Sequence, residues 1–445
     1  MYSPSVMTQT AAPSIPDALS WQSCSNCASE IAATQACAQC PHCGGLLEVH
    51  HKPPVLRGAE LARVFAERRL ATSGPDVSGV WRYRELVMPD IDPARVVTYP
   101  EGNTPLLEIA SIARWAAAPL LGLKHEGLNP TGSFKDRGMT VGMTQAVRVG
   151  AKAVACASTG NTAASLAAYA ARAGMPALVL IPMGQVAIGK LAQSLAYGAR
   201  TLMVRGDFDD CLRLAREASE RLGVYLLNSV NPYRIEGQKT IVLELLEQCG
   251  WNAPDWIALP AGNLGNTAAF GKVLREVREA GMIDRVPRLL AVQAAGAAPF
   301  AHSFNGGFAE RQRVKAHTVA TAINIGDPVS YERAVSAIGY TNGVVAAVSD
   351  DEILEAKSVI DAAGVGCEPA SAASVAGVRR LTRSGVIASG DRVVAVLTGH
   401  VLKDPGILLH YHQEIEPPPA GANRPVEIDA TVVAIEKALE TSRSV

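Results

Sequence analysis

The chain has 445 residues, 48% of them hydrophobic and 19% charged, with a formal net charge of −1. That balance carries no electrostatic footprint for nucleic acid or an anionic membrane, and no apolar stretch reaches the roughly 18 uninterrupted residues that span a bilayer. The length suffices for a large core in more than one lobe, and the start, MYSPSVMTQTAAPSIP, lacks the features of a secretion signal, so a cytoplasmic protein is expected.

Residues 1–20, rich in Ser, Thr, Ala and Pro, read as a mobile tail. Residues 21–52 form a cysteine-rich, zinc-ribbon-like module, in which Cys24 and Cys27 make one C-x-x-C and Cys40 and Cys43 another, twelve residues later. Each pair can present two thiolates from a tight knuckle, and two knuckles complete a tetrahedral site for a structural Zn2+. Cys37 extends the second knuckle and His42 lies inside it, so either could replace one of the four ligands. An unmetallated arm or a redox pair is the plainer alternative. Of the nine cysteines, Cys156, Cys211, Cys249 and Cys367 sit among apolar neighbours and read as small core residues.

From about residue 95 the pattern becomes a strand–helix alternation. AKAVACAS, MPALVLIP, ARTLMVRG, VYLLNS, DWIALPAG, RLLAVQAAG and RVVAVLTG are short apolar runs. The stretches between them, such as GNTAASLAAYAARAG, IGKLAQSLAYG and DFDDCLRLAREASERLG, carry helical signals. Runs of this length predict an α/β fold with mainly parallel sheets covered by helices on both faces. EIEPPPAGANRP reads as a linker, and residues 431–445 as a C-terminal helix that packs on the body or on a second subunit.

In such folds chemistry collects where strand ends meet helix starts, and four loops qualify. In GLNPTGSFKDRGM, Thr131 and Ser133 can cap a helix starting near Phe134, which places Lys135 in its first turn. The helix dipole there favours the neutral amine that bonds aldehydes; the plain alternative is a pair between Lys135 and Asp136. In ASTGNTAAS, Ser158, Thr159, Asn161 and Thr162 form a turn suited to a carboxylate, or simply an N-cap. In PAGNLGN, Gly262, Asn263, Leu264, Gly265 and Asn266 let backbone approach a phosphate, without the Lys-Ser/Thr of a nucleotide loop. In LTGH, Thr398 ends a buried strand and can offer its hydroxyl to a ring nitrogen or fill a purely structural role.

From residue 99 to residue 405 these loops, with IGKLAQSLAYGA, NSVNPYRIEGQKT, AVQAAGAAPF and CEPASAASVAG in the same order, resemble the threonine synthases. Those are pyridoxal-phosphate enzymes of fold type II, the tryptophan synthase β family. The resemblance implies a two-lobed catalytic domain over residues 53–430, its smaller lobe roughly 111–230. It implies that Lys135 holds pyridoxal 5'-phosphate as a Schiff base, that Asn161 meets the ring hydroxyl, that residues 262–266 hold the cofactor phosphate and that Thr398 faces the ring nitrogen. Ser158, Thr159 and Thr162 would then meet the substrate, and Asn228, Ser229 and Arg234 its phosphate. The implied reaction converts O-phospho-L-homoserine and water to L-threonine and phosphate, in a cytoplasmic homodimer. A β-replacement relative such as a cysteate synthase, acting on O-phosphoserine, differs by one methylene, worth only about 1–3 kcal/mol in a pocket. A zinc-ribbon interaction protein on an inactive scaffold is the non-enzymatic alternative. Two positions depart from the family pattern: Asn324, where an arginine is usual, and Val401, where a glycine is usual.

Overall fold

The computed structural model describes residues 18–184 and 191–442, in two compact units, Met1–Lys403 and Asp404–Val445. Most of the tail read over 1–20, and the start of the helix read from IGKLAQSLAYG, lie outside the described residues; that helix is described over Ala192–Ala196.

The first unit opens with β1 (Ser20–Cys24), β2 (Glu30–Ala32) and β3 (Leu47–His51), an antiparallel sheet in the order β2-β1-β3. Its turns depend on glycine: Gly44 has φ +71°, and a Cβ on Gly45 would lie 2.9 Å from the Cys24 sulfur.

A second sheet starts with β4 (Leu106–Glu108) and β5 (Leu121–His125). The chain then leaves it to build a separate four-stranded sheet from β6 (Ala153–Ala157), β7 (Ala177–Pro182), β8 (Arg200–Val204) and β9 (Val224–Leu226). It returns with β10 (Trp256–Pro260), β11 (Arg288–Ala294), β12 (Val344–Val348) and β13 (Val393–Leu397). The large sheet runs β12-β11-β10-β13-β5-β4, parallel except for β4, and the small one β8-β7-β6-β9, all parallel. The stretch read as the smaller lobe, 111–230, therefore gives its first strand, β5, to the large sheet, next to β13.

Why these runs become central strands is visible in β10, all of whose residues are buried. Ile257 and Leu259 join one core with Phe65, Phe270 and Leu274, while Trp256 and Ala258 join another with Leu290, Val292 and Ala373. Alternation carries successive side chains to opposite faces, and helices cover both. The helical signals of DFDDCLRLAREASERLG include its start: Asp207 and Asp210 form a capping box before the helix Phe208–Leu222.

In the second unit the helix Val432–Ser442 leaves Val432, Val433, Ile435 and Leu439 exposed. Among the described residues no helix is long and apolar enough to cross a membrane.

Candidate active site

Lys135 opens the helix Lys135–Arg148, but not through the expected cap. The Thr131 amide and hydroxyl both donate to the Asp136 carboxylate, at 2.7 and 2.6 Å, and the Ser133 hydroxyl has no partner. The capping direction is reversed because a carboxylate in the first helical turn attracts the donors of the incoming loop. Asp136 also accepts from Ser165 at 2.6 Å, so it is bound to hydroxyls and an amide, and the alternative of a Lys135–Asp136 pair does not form.

Two contacts aim the lysine. Ser133 bridges Gly399, and the Phe134 amide donates to the Thr398 carbonyl at 3.0 Å, which fastens the helix start to the end of β13. Behind it the helix crosses the helix Pro232–Gln238 so closely that a Cβ on Gly237 would lie 1.8 Å from the Arg137 carbonyl oxygen. That approach brings Lys135 and Arg234 to one cavity. Arg137 is anchored below it: its guanidinium donates to Glu126 at 2.7 Å and to Glu244 at 2.9 Å. Glu244 also takes Lys124 at 2.6 Å and the amides of Asn103 and Thr104, both at 2.8 Å. Although burial opposes ionisation, these cations hold the Glu244 carboxyl well below the usual range.

Lys135, Asn161, Ser229, Arg234, Gln238, Glu368 and Thr398 line the cavity, closed on another side by Gly262, Asn263, Leu264, Gly265 and Asn266. Burial, helped by the Arg234 charge, pushes the Lys135 amine down to about 7, against a smaller pull from Glu368. The amine lies 4.2 Å from the Phe134 ring centre. Leu264 takes the left-handed conformation, φ 63°, immediately before the helix Gly265–Glu279. A left-handed residue followed by helical ones turns successive amides toward one point, a nest for an anion, and the first-turn amides of a helix have no intrahelical acceptor.

Arg234 is 2% exposed, and its only hydrogen bond among the described residues runs from Nη1 to the Leu227 carbonyl at 3.2 Å. Its Nε has no partner, and burial lowers its pKa to about 10. A buried guanidinium without a carboxylate is costly unless an anion completes it.

Most expected site residues thus converge, but four do not. Ser158, Thr159 and Thr162 stand outside the cavity wall, and the Ser158 hydroxyl accepts the Gly160 amide at 3.3 Å. Asn228 spends its amide on the backbone, accepting from Ala157 N and donating to Ala157 O, both at 2.9 Å, which clamps the end of β6. An isolated Asn after a buried strand looks the same in sequence whether it clamps backbone or binds a ligand.

Two polar wall residues escaped the sequence reading. Glu368, 4% exposed, accepts from Asn161 Nδ2 at 3.0 Å and from the Thr398 hydroxyl at 3.3 Å, so it ties together two residues that follow strands of different sheets, β6 and β13. A Cβ on Gly399 would lie 2.4 Å from its carboxyl carbon. Burial pushes the Glu368 acid up from its ordinary value. The signal was one acid among the small apolar residues of CEPASAASVAG. Gln238 leaves Oε1 without a partner at the wall, and no sequence cue marked it.

In the cysteine module the Cys24, Cys27, Cys40 and Cys43 sulfurs all lie within 4.8 Å of one another. Cys37 stays apart, with its thiol toward the Gln35 carbonyl, 3.7 Å away. Of the two departures, Asn324 is exposed, and Val401 packs on Gly366, whose added Cβ would lie 3.1 Å from the valine Cβ.

The fold and the lysine cavity define a class, and comparison agrees: the family model "Pyridoxal-phosphate dependent enzyme" matches residues 97–399. The threonine synthase of Methanosarcina acetivorans is 43% identical over 94% of this chain and 98% of its own length. That of Methanocaldococcus jannaschii is 41% identical over 88% and 95%. The chain belongs to the threonine synthase family of pyridoxal-phosphate dependent enzymes. Escherichia coli threonine synthase superimposes with a TM-score of 0.67 over 95% of this chain and all of its own, at 18% identity, a likeness of fold.

The cofactor fits the cavity on physical grounds. It needs an uncharged amine, an anion nest and donors near an aromatic ring. Lys135, the turn at Leu264, and the Asn161 amide and Thr398 hydroxyl in the cavity wall supply groups of the right kinds.

Proposed function

We infer that the chain is a threonine synthase that converts O-phospho-L-homoserine and water to L-threonine and phosphate. The observation that carries this reading is Arg234: a buried, underpaired cation in the same cavity as a lysine with a lowered proton affinity. Bound pyridoxal phosphate supplies an electron sink for charge that develops beside the substrate nitrogen. Lys135 is the residue that carries the cofactor and afterwards moves protons at the α and β carbons, a task suited to an amine that titrates near the working pH. The turn Gly262–Asn266 receives the cofactor phosphate, Asn161 the ring hydroxyl and Thr398 the ring nitrogen. A neutral hydroxyl at that nitrogen leaves the ring less electron-withdrawing than a carboxylate would, which suits elimination and addition.

Arg234 and Ser229 hold the leaving phosphate, the guanidinium by a charge-assisted pair that grows stronger as the C–O bond breaks. Water then adds at the β carbon. Ser158, Thr159 and Thr162 stay candidates for the substrate carboxylate only if substrate draws their loop inward, since they stand outside the wall as it is.

The four cysteines are read as a structural zinc site. Tetrahedral Zn–S bonds of about 2.3 Å place sulfurs about 3.8 Å apart, and Cys24–Cys43 and Cys27–Cys40 are at 3.4 and 3.7 Å. Nine free thiols suit a reducing cytoplasm. A homodimer is the assembly proposed, twofold pairs being the commonest.

The deciding experiment incubates the purified protein either with O-phospho-L-homoserine or with O-phospho-L-serine plus sulfite, and identifies the amino-acid product. Threonine and phosphate in equal amounts from the first are expected. Turnover of the second alone would transfer the reading to β-replacement.

A further inference from the structure

The cysteine module has no part in the chemistry described above, yet it touches both helices that build the site. Its residue Ala33 lies between the two knuckles and is 4% exposed. The Ala33 carbonyl accepts from Tyr233 Oη at 3.0 Å and from Gln145 Nε2 at 2.6 Å. Tyr233 stands on the helix Pro232–Gln238 with Arg234, and Gln145 on the helix Lys135–Arg148 with Lys135. One backbone oxygen of the module therefore joins the two elements that carry the key cations.

A second strut runs from β3. His51 Nε2 bonds Glu236 at 3.0 Å, and Glu236 also binds Lys239 and Lys272, both at 2.5 Å. Lys272 in turn donates to the Val49 carbonyl of the same strand. Residues of the helix Pro232–Gln238 thus divide by face. Tyr233 and Glu236 meet the module, while Arg234, Ile235 and Gln238 line the cavity. The helix runs on through Lys239, whose backbone angles are helical, into the helix Thr240–Gln248, so these contacts hold the N-terminal end, which carries Arg234.

We propose that the cysteine module is a buttress for substrate binding: through Tyr233–Ala33 and Glu236–His51 it fixes the helix that carries Arg234, and so sets the affinity for the substrate phosphate. Tyr233, His51 and Glu236 are positioning residues that act through Arg234. The proposal rests on Arg234 as the phosphate anchor, and the test separates the two claims.

In the holoenzyme, Tyr233→Phe removes one side-chain hydrogen bond and His51→Leu removes those to Glu236 and Ser20, without a new charge. Each is expected to raise KM for O-phospho-L-homoserine, and the inhibition constant of inorganic phosphate, by roughly 2- to 10-fold, the worth of one buried hydrogen bond. The turnover number and the absorbance of the bound cofactor stay as in the parent. His51→Gln, whose amide can still donate to Glu236, recovers the parent values, which a general packing role would not produce. Arg234→Lys is the reference and weakens both constants. If Tyr233→Phe and His51→Leu leave both constants unchanged while Arg234→Lys weakens them, the buttress is overturned. It is equally overturned if the two variants lose turnover or cofactor instead of phosphate affinity. Should Arg234→Lys itself change neither constant, the phosphate reading fails and the buttress falls with it.

Discussion

Lys135 titrates near 7 because its amine is walled in beside Arg234, and that is a testable property of one atom. In cofactor-free protein only the uncharged amine attacks an aldehyde. The rate of covalent pyridoxal phosphate uptake should rise with pH through about 7 and level off above it; a rise centred near 10.5 would mean an unperturbed lysine. The same shift makes Lys135 a stability liability. A lysine whose folded proton affinity is lowered binds fewer protons in the folded state than in the unfolded one, so its cost is relieved as pH rises from about 7 toward 10.5. Glu368 gives the other prediction at this scale. It accepts from both Asn161 and Thr398, so Glu368→Ala leaves the two groups proposed to meet the cofactor ring without their shared anchor. Turnover should fall roughly 10- to 100-fold, for about 1.5–3 kcal/mol of lost hydrogen bonding, and the absorbance maximum of the bound cofactor should shift. Glu368→Gln keeps an acceptor and should lose much less.

At the scale of elements, the site depends on how the helix Lys135–Arg148 is seated, and the buried ions below it do that seating. Glu244 gathers Arg137, Lys124 and Arg82, at 2.9, 2.6 and 3.2 Å. Glu244→Gln strips the negative centre from three buried cations, and should cost about 3–5 kcal/mol in denaturant unfolding. The sign of its pH dependence follows from the lowered carboxyl: the stabilisation is present above the ordinary glutamate value and is lost as pH falls through the lower folded value. The parent should therefore lose stability on acidification below about pH 4, and the variant should show a smaller slope there. None of this network was legible in sequence, because Arg82, Lys124, Glu126, Arg137 and Glu244 come from separate elements and look like ordinary surface charges. The strands were legible, since uninterrupted apolar runs such as WIALP leave few alternatives to a two-sided sheet. The cap at Lys135 was misread for a physical reason. Thr and Ser before a helix usually accept from it, but a carboxylate at Asp136 outcompetes them as acceptor.

For the whole molecule, the alternation of strands and helices signalled the parallel sheets, but not where the chain passes from one to the other. β5 falls within the stretch read as the smaller lobe and is claimed by β13 through pairing at residues 393–397, far along the chain. Convergence of distant loops is likewise a property of the whole: Lys135, the Gly262–Asn266 turn and Thr398 belong to separate segments, and meet because the large sheet brings the ends of β10 and β13 side by side. The loops at Lys135 and Thr398 each had an ordinary structural reading alone; their meeting in one cavity with the Gly262–Asn266 turn favours a site over it. Borohydride reduction of the protein with pyridoxal phosphate, followed by peptide mapping, tests that convergence most directly. The account predicts a stable cofactor adduct on Lys135, absent in Lys135→Ala. An adduct on another lysine, or a Lys135→Ala protein with undiminished threonine formation, would contradict it.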